Sequence, residues 1–337
     1  MKLNKIGLTV DLCKENSIYY REGVELSKIS QIKAGGKVEF VIYPDCINNL
    51  IKLIKLFYSH NIDYFVIGNL SNLLIRDGNI STIFISMIKL RFNNSIGEDK
   101  FEIGSGLMMP ALSNFAKKKC YSGLEGLSGI PGTIGGGVYM NAGSYGSTIS
   151  TYVEQVVCID NKGSVVKINK ENMSFGWRHS CLQDLKKKYI VASVVFKFNP
   201  GERGEIYKNT EKIKRHRLQY QEKKYPNLGS LFATKDIYIE ISKKFKLYAI
   251  FLLLIRAFAR LFPKKRHKIY AKLSRLLTIL YFKIPKHEGV GISKYTFNCV
   301  VKKSNVSSDE IIKYIYMIQN SINYCVELEN EILDDID

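Results

Sequence analysis

The sequence lacks the cysteine and histidine patterns that hold metal ions or build disulfide frameworks. Its seven cysteines are scattered along 337 residues, and no two of them have the C-x-x-C spacing. This arrangement argues against a zinc ribbon or a disulfide framework and favours a reducing compartment. The five histidines form no cluster with metal-ligand spacing either. We therefore expect no metal site.

Long apolar runs are also missing. Leu247–Ile255 is a run of nine apolar residues, well short of the roughly 20 that are needed to span a bilayer. Residues 1–16 contain no apolar core of signal-peptide length. The sequence therefore predicts a protein that stays in the cytoplasm.

The formal net charge is +19 at pH 7, and most of it lies in one segment. Thirteen Lys or Arg residues and no Asp or Glu lie between Ile241 and His287. The rest of the chain is only mildly basic. A nucleic-acid partner is therefore not predicted.

What the sequence does contain is a glycine-rich segment, residues 122–149, with nine glycines and one proline between Gly123 and Gly146. Glycine permits positive φ and leaves no Cβ between the backbone and a ligand. Such a backbone can turn successive N–H groups toward a pyrophosphate. A tight structural loop is the alternative interpretation of the glycines alone.

The order of residues in this segment carries a family resemblance. Ile-Pro-Gly-Thr at 130–133, the three glycines at 135–137 and Asn-Ala-Gly at 141–143 resemble the signature of the UDP-N-acetylenolpyruvoylglucosamine reductase (UDP-N-acetylmuramate dehydrogenase) family. In that family the loop binds the FAD pyrophosphate. The resemblance implies cofactor contacts at Gly129, Ile130, Pro131, Gly132, Thr133, Gly135, Gly136, Asn141 and Gly143.

A second cofactor segment follows the predicted strand Tyr64–Ile67. It resembles the family's Gly-x-Gly-Ser-Asn turn, with Leu70 where the second glycine is usual. The leucine Cβ is expected to shift the backbone or weaken the fit. The resemblance implies FAD contacts from Gly68, Asn69, Leu70, Ser71 and Asn72. A plain strand-to-turn connection is the alternative.

The family's Tyr-Arg-x-Ser motif has its counterpart in Phe175–Ser180. The resemblance implies that Arg178 stabilises a developing enolate, because a guanidinium offers a fixed charge and paired donors. Trp177 replaces the usual tyrosine and has no hydroxyl. A surface arginine is the alternative interpretation.

Two further motifs supply a serine and a glutamate. Gly229–Phe232 resembles Gly-Ser-x-Phe, which implies that Ser230 protonates the substrate carbon as general acid. Thr234 stands where the family usually continues with Asn-Pro. Leu328–Ile332 resembles Leu-Glu-Pro-Glu-Val, which implies that Glu331 acts with the arginine. Without the flanking residues, an ordinary loop serine and a solvated glutamate would be the simpler interpretations.

A last motif matches the family pattern only in part. Gly291–Asn298 resembles a family segment that usually has a histidine near Tyr295. The resemblance implies substrate contacts at Trp177, Thr234 and Tyr295.

The order of apolar patterns predicts an α+β fold. The resemblance implies a two-part FAD-binding domain of the vanillyl-alcohol-oxidase/PCMH type, followed by a smaller α+β substrate domain. We place the first part at 1–86, the second at 87–204 and the substrate domain at 205–337, with a basic amphipathic insertion at about 241–287. Apolar spacing predicts a helix in residues 47–60 and another near 309–326, with an N-cap at Ser307-Ser308.

The implied activity is an NADPH-dependent FAD oxidoreductase. It would reduce the enolpyruvyl group of UDP-N-acetylglucosamine-enolpyruvate to UDP-N-acetylmuramate, a peptidoglycan precursor. The departures from the family favour one alternative, a related flavoenzyme acting on another nucleotide sugar of surface-polysaccharide synthesis. A second alternative is a non-catalytic, membrane-associated flavoprotein, against which Arg178, Ser230 and Glu331 together argue.

The inserted segment at 243–284 is not usual in the family. Long apolar side chains with Lys and Arg and no acids favour two interfacial helices on an anionic membrane surface. They are broken at Pro263–Arg266. A helical hairpin that packs on its own domain or on a partner is the alternative. The predicted location is therefore the cytoplasm, with peripheral attachment to the inner face of the plasma membrane.

Overall fold

The computed structural model describes residues 2–185 and 188–333. Its N-terminal elements are α1 (Lys2–Glu15), β1 (Tyr19–Glu25), α2 (Leu26–Ile29), β2 (Lys37–Tyr43), α3 (Ile47–Ser59), β3 (Tyr64–Ile67), β4 (Leu73–Ile75), β5 (Asn79–Ile80) and β6 (Ile83–Ser86). Helices and strands alternate as far as β3, and the four strands β3 to β6 follow one another. The helix predicted from apolar spacing at 47–60 is present as α3.

The N-terminal sheet has the order β1-β2-β6-β3, with β5 beside β2. β6 pairs in parallel with both β2 and β3, so α3 is the crossover between β2 and β3. The side chains at the predicted positions Leu50, Leu53, Ile54 and Phe57 are all buried in the core beneath this sheet. The turn that follows β3 is thereby presented at the carboxyl end of a parallel strand, where α/β sheets commonly bind ligands.

The elements in the middle of the chain are β7 (Asn93–Gly97), β8 (Lys100–Gly104), α4 (Met109–Lys118), β9 (Tyr121–Ser122), α5 (Ile134–Tyr139), β10 (Gly143–Ser144), β11 (Ser147–Thr148), β12 (Val153–Asp160), β13 (Val165–Asn169), α6 (Cys181–Asp184) and β14 (Tyr189–Lys197). Five of these strands form a wholly antiparallel sheet of order β13-β12-β14-β8-β7. A hairpin joins β12 and β13, with Gly163 at φ +84° in its turn.

The C-terminal elements are mainly helical, and those from residue 237 onward contribute to one large apolar core. They are β15 (Asn199–Pro200), α7 (Arg203–Tyr220), α8 (Ile237–Lys244), α9 (Lys246–Arg260), α10 (Arg266–Tyr281), β16 (Val290–Ile292), β17 (Val300–Lys302), α11 (Ser308–Ser321) and β18 (Glu331–Leu333). The predicted α+β class is confirmed.

The inserted segment folds as a helical hairpin of α9 and α10, which the break at Pro263 separates. Tyr248 near the start of α9 donates or accepts a 2.8 Å hydrogen bond with Thr278 near the end of α10, so the two helices run antiparallel. Within the ranges that the structure describes, no helix combines the length and apolarity needed to cross a membrane.

One strand ties the two ends of the chain together. β18 pairs in parallel with β4, with Glu331 opposite Leu73 and Leu333 opposite Ile75. The Glu331 amide also donates to the carbonyl of Asn72 at 2.9 Å. The C-terminal glutamates are therefore held beside the turn that follows β3.

Two adjacent serines at the start of α11 provide a test of the local structure. Ser307 caps the helix: its hydroxyl accepts from the Glu310 amide at 3.1 Å, and the Glu310 carboxylate accepts from the Ser307 amide at 2.9 Å. The hydroxyl of Ser308 is buried without a hydrogen-bond partner among the described residues. Ser307→Ala should lower the free energy of unfolding by about 1 kcal/mol, whereas Ser308→Ala should be neutral or stabilising. Equal losses in chemical denaturation would contradict this assignment.

Candidate functional site

A single large cavity of about 1130 Å³ lies where the three groups of elements meet. Its wall contains the turn after β3, the glycine loop before α5, the segment from Arg217 to Ser230, Arg178, and the two glutamates Glu329 and Glu331. Residues from both ends of the sequence thus face one space.

The two predicted cofactor segments touch each other directly. The Asn69 side-chain amide donates to the carbonyl of Pro131 at 2.6 Å. A Cβ built on Gly68 would lie 2.5 Å from the Thr133 hydroxyl oxygen, so only glycine allows this approach. Thr133 in turn caps α5 by accepting from the Gly136 amide at 3.4 Å. The two segments form one continuous wall.

The wall fits a dinucleotide cofactor. Ser105 lines the cavity, and its buried hydroxyl has no hydrogen-bond partner within the described residues. A Cβ built on Gly132 would lie 2.7 Å from Met109 Cε, so the packing here favours a residue without a side chain. Glycine backbone N–H groups and a hydroxyl without a partner are donors of the kind that bind a pyrophosphate in such loops.

Leu70 has a left-handed backbone conformation. Its φ is +48°, in the left-handed region that favours glycine, and holding a branched residue there costs about 1 kcal/mol. The side chain is buried among apolar neighbours such as Ile67 and Ile75, which offsets that strain. The effect of Leu70 on the fit of the cofactor stays a prediction.

Arg178 is held in a fixed orientation from two sides. Its Nε donates to Glu329 Oε1 at 2.8 Å, and its Nη2 donates to the Gly143 carbonyl at 2.9 Å. Its guanidinium also lies over the Trp177 ring, 5.0 Å from the ring centre. The backbone at Arg178 has φ +56°, a strained conformation of the kind that collects at functional sites. The side chain therefore reaches the cavity already oriented.

The carboxylate that pairs with Arg178 is Glu329 rather than Glu331. Both glutamates line the cavity, and Glu331 lies close enough to Tyr139 for its charge, with burial as the larger cause, to raise the pKa of that phenol. The family motif predicts a role for Glu331, which stays a prediction, and it did not indicate Glu329 as the ion-pair partner of Arg178.

Burial dominates the electrostatics of Glu329. Removal from water raises its pKa above the usual range of a glutamate, and the charge and hydrogen bond of Arg178 oppose that rise. The side chains of the pair keep only 18% and 15% of their surface exposed. The pair therefore combines a strong mutual attraction with a substantial desolvation penalty.

Ser230 lies at the cavity on an ordered loop. The Asn227 side chain accepts from the Gly229 amide at 3.0 Å, and Gly229 takes φ +80°. Leu231 and Phe232 behind it are buried in the C-terminal core. Ser230 itself is exposed and lines the cavity, which suits a group that meets a ligand.

Two asparagines connect this loop with the other walls. The Asn330 side-chain amide donates to Asn72 Oδ1 at 2.8 Å and to the Leu228 carbonyl at 3.3 Å. The Asn72 amide donates to the Glu329 carbonyl at 2.8 Å. Asn330 occupies the place of the proline in the family motif, so its role was not visible in the sequence.

Arg217 on α7 is a further residue that sequence reasoning missed. It is 8% exposed, and its guanidinium donates to the carbonyls of Gly126 at 2.8 Å and Gly129 at 2.9 Å and to the Ser144 hydroxyl at 3.0 Å. It therefore clamps the glycine loop from behind while lining the cavity. The buried Arg on an otherwise charged helix carried no periodic signal.

Four predicted site residues lie outside the cavity wall, within the described part of the chain. Asn141 uses its side-chain amide to donate to the Gly176 carbonyl at 2.7 Å, so it holds the Arg178 turn instead of facing a cofactor. Trp177 is 52% exposed, and Thr234 accepts from the Asp236 amide. In the segment Gly291–Asn298, Thr296 lines the cavity and Tyr295 does not. The other predicted site residues all line the cavity: Gly68, Asn69, Leu70, Ser71, Asn72, Gly129, Ile130, Pro131, Gly132, Thr133, Gly135, Gly136, Gly143, Arg178, Ser230 and Glu331.

Fold and site together define a flavoprotein oxidoreductase. Residues 38–169 match the family model described as an FAD binding domain. The crystal structure of UDP-N-acetylenolpyruvylglucosamine reductase from Thermus caldophilus superimposes with a TM-score of 0.69, covering 94% of this chain and 98% of that one. The identity is 22%, so this likeness establishes the fold.

Sequence relatives give the family. The chain is 30% identical over 310 residues to UDP-N-acetylenolpyruvoylglucosamine reductase of Clostridium tetani, covering 90% of this chain and 88% of that protein. It is 36% identical over 222 residues to the protein of the same name from Clostridium botulinum strain Okra, covering 66% and 71%. The chain belongs to the UDP-N-acetylenolpyruvoylglucosamine reductase family.

The clamp on the glycine loop predicts an effect on cofactor affinity. Arg217→Lys leaves a single ammonium that cannot reach both glycine carbonyls, because only the guanidinium has a planar fork of donors. We expect FAD to bind roughly tenfold more weakly or worse, since each lost charged hydrogen bond contributes about 1.5 kcal/mol or more. Flavin fluorescence titration of the apoprotein measures this, and Arg215→Lys on the exposed side of α7 is the matched control. Equal affinities for wild type and Arg217→Lys would contradict the clamp.

The raised pKa of Glu329 predicts a pH-dependent stability difference. An acid with a raised pKa in the folded state stabilises the fold most at low pH, and this contribution is lost as the pH rises through the folded value. The difference in Tm between wild type and Glu329→Gln should therefore change above the ordinary glutamate pKa of about 4.3 and level off past the raised value. Thermal melts from pH 4 to 8 measure it, with the exposed Glu327→Gln as control. A constant difference would show that Glu329 does not titrate as burial requires.

Proposed function

We propose that the chain is an NADPH-dependent FAD oxidoreductase that reduces the enolpyruvyl group of UDP-N-acetylglucosamine-enolpyruvate to UDP-N-acetylmuramate, a step of peptidoglycan precursor synthesis. The observation that carries the proposal is the meeting of Arg178, Ser230 and Glu331 with the glycine loop around one cavity. These residues come from distant parts of the sequence. A non-catalytic fold has no need to bring them together.

The cofactor residues are the two contacting segments, 68–72 and 129–136, with Ser105 as an additional donor. FAD, when bound there, supplies the hydride chemistry that side chains cannot provide. The protein's task is to hold the nucleotide and exclude side reactions.

Arg178 is proposed to stabilise the negative charge that develops when hydride adds to the terminal vinyl carbon of the substrate. That addition places an electron pair on the adjacent carbon, delocalised into the carboxylate as an enolate. A guanidinium oriented in advance by Glu329 and Gly143 stabilises this charge without reorganising during the reaction. Glu331 stays a predicted partner in the same step.

Ser230 is proposed to complete the reaction by giving its hydroxyl proton to that adjacent carbon. A serine hydroxyl is a weak acid, so the transfer requires close positioning and nearby cations. Arg178, Lys223 and Lys224 line the same cavity and supply positive charge. The two lysines and Tyr225 are also the groups suited to the diphosphate of a nucleotide sugar.

The proposed domain division is 1–86, 87–204 and 205–337. Separate apolar cores support it: one centred on α3 and its sheet, one on α4 and the antiparallel sheet, and one on α11 with the C-terminal helices. The cores also cross these bounds. Ile32, Ala34 and Leu74 pack in the C-terminal core, Ile159, Ile190 and Ala192 pack in the core of α3, and β18 crosses back to pair with β4.

The proposed place of action is the cytoplasm, peripheral to the inner face of the plasma membrane. The acid-free segment 241–287 supports this location, since juxtamembrane Lys and Arg are attracted to anionic lipids. The substrate carries a diphosphate and is water-soluble, so catalysis itself needs no bilayer.

Visible absorption spectra of the purified protein test the proposed activity. We expect a flavin spectrum that bleaches under anaerobic NADPH and returns when UDP-N-acetylglucosamine-enolpyruvate is added. A flavin that NADPH reduces but this substrate does not reoxidise would favour another nucleotide sugar. A colourless protein that cannot be reconstituted with FAD would refute the proposal.

Ser230→Ala separates the two half-reactions. Flavin bleaching by NADPH should be unchanged, because the hydroxyl acts only on the sugar substrate. Turnover should fall by roughly a hundredfold or more, as expected when a proton donor is removed. Stopped-flow spectra of both halves measure this. Full turnover in the variant would show that Ser230 is not the acid.

A further inference from the structure

The α9–α10 hairpin displays an unusual concentration of exposed apolar side chains. Exposed large hydrophobic residues elsewhere in the described chain are scattered, whereas eight lie in the short stretch from α9 to the turn that follows it. They are Leu247, Ile250, Phe251, Leu253, Leu254, Phe258, Leu261 and Phe262. Clusters of this kind on a folded protein mark interaction surfaces.

These side chains form one face of the helix. Leu247, Ile250, Leu254, Phe258 and Leu261 follow one another at spacings of three or four residues, which places them along a single stripe. Leu254 is 61% exposed and Leu261 is 72% exposed.

The opposite face of α9 seats the hairpin on the protein. Tyr248 and Leu252 are buried in the C-terminal core, and Ala259 is buried as well. The outward stripe therefore remains after the helix has already buried its inner face.

Contacts of α10 fix the hairpin relative to the cavity. Tyr270 donates from its hydroxyl to Asp236 at 3.2 Å, and Arg275 donates from Nε to the Ser293 carbonyl at 2.6 Å. The Ser293 hydroxyl in turn donates to Glu222, a residue of the cavity wall, at 3.1 Å. The apolar stripe is thus held in a set direction.

Positive charge surrounds the stripe. Arg256 and Arg260 are exposed on α9, and Lys264, Lys265 and Arg266 are exposed in the turn. On α10, Lys268 and Lys272 are exposed. Leu276 and Leu280 follow on the same helix and are also exposed, Leu280 at 74%. The chain supplies no acid between Ile241 and His287 to neutralise them.

We propose that the outer face of the α9–α10 hairpin is a docking surface for anionic phospholipid, with α9 lying in the membrane interface. The inference rests on the proposed location of the protein. Leucine and phenylalanine side chains would enter the acyl boundary while Arg and Lys extend to the headgroups. α9 has 15 residues, so it lies along the bilayer rather than across it. A second copy would bring the same positive charge, whereas anionic lipid complements it.

Flotation of the FAD-loaded protein with vesicles tests the surface. We expect binding to vesicles of 70% phosphatidylcholine and 30% phosphatidylglycerol, and little to phosphatidylcholine alone. Leu254→Ser with Leu261→Ser should weaken binding at least tenfold, since burying each leucine contributes roughly 1.4 kcal/mol or more, a factor of ten. Leu218→Ser, at an exposed leucine of α7, is the matched control and should bind as wild type does.

The charges are tested separately. Lys264→Gln with Lys265→Gln and Arg266→Gln should lower binding to the anionic vesicles at least tenfold, and raised salt should do the same to wild type. Lys208→Gln with Lys212→Gln and Lys214→Gln removes equal charge from α7 and should change binding little. If both triple variants lost vesicle binding equally, binding would depend only on the net charge of the protein, and the proposed docking surface would be wrong.

Point variants are preferable to deleting the hairpin, because Tyr248 and Leu252 belong to the core. NADPH-dependent turnover, measured in the same samples, should be unchanged in all these variants, so that a failed activity and a failed docking surface are told apart. Wild type that does not float, or that floats equally with neutral vesicles, would overturn the proposal. So would a dimer in sedimentation without lipid that the double leucine variant abolishes, because the stripe would then be a protein interface.

Discussion

The site depends on one pairing, the parallel contact between β18 and β4. It joins the last described strand to a strand near the start of the chain, with Glu331 opposite Leu73. The side chains of Asn72 and Asn330 lock the same junction through hydrogen bonds that also reach the Ser230 loop. Without this pairing the glutamates would be an exposed tail, Arg178 would lose its carboxylate, and the cavity would lack one wall.

The glycine loop is a second constraint, and it works through what is missing. Because Gly68 has no Cβ, the Thr133 side chain approaches it more closely than any other residue would permit. For the same reason a backbone oxygen and the Ser147 side chain approach Gly126 closely. Arg217 donates hydrogen bonds to carbonyl groups of this loop, and its guanidinium is buried as a consequence. The loop is therefore rigid before a cofactor arrives, which limits the entropy that binding must remove.

The α9–α10 hairpin between α8 and β16 has two faces with different roles in the structure. Its inner face adds to the C-terminal core, and its outer face gathers apolar and basic side chains. The cavity and the outer stripe are connected through the contacts of α10 near Glu222 and through the C-terminal core, to which α9 and the Ser230 loop both contribute.

Local patterns in the sequence were enough to predict the α+β class, the family, the helices with clear apolar spacing such as α3 and α11, and a cap at Ser307-Ser308. Most of the site residues predicted from motifs line the cavity, although they are a minority of its wall. These follow from local patterns: periodic burial, glycine where backbone must approach closely, and short motifs of fixed order. Other features became visible only in the folded chain. Glu329 pairs with Arg178, Arg217 holds the glycine loop, the Asn141 side chain donates to Gly176, and Thr296 instead of Tyr295 lies in the wall. These are questions of which side chain reaches which partner across long stretches of chain, and the answer depends on strand register and packing that no local pattern encodes.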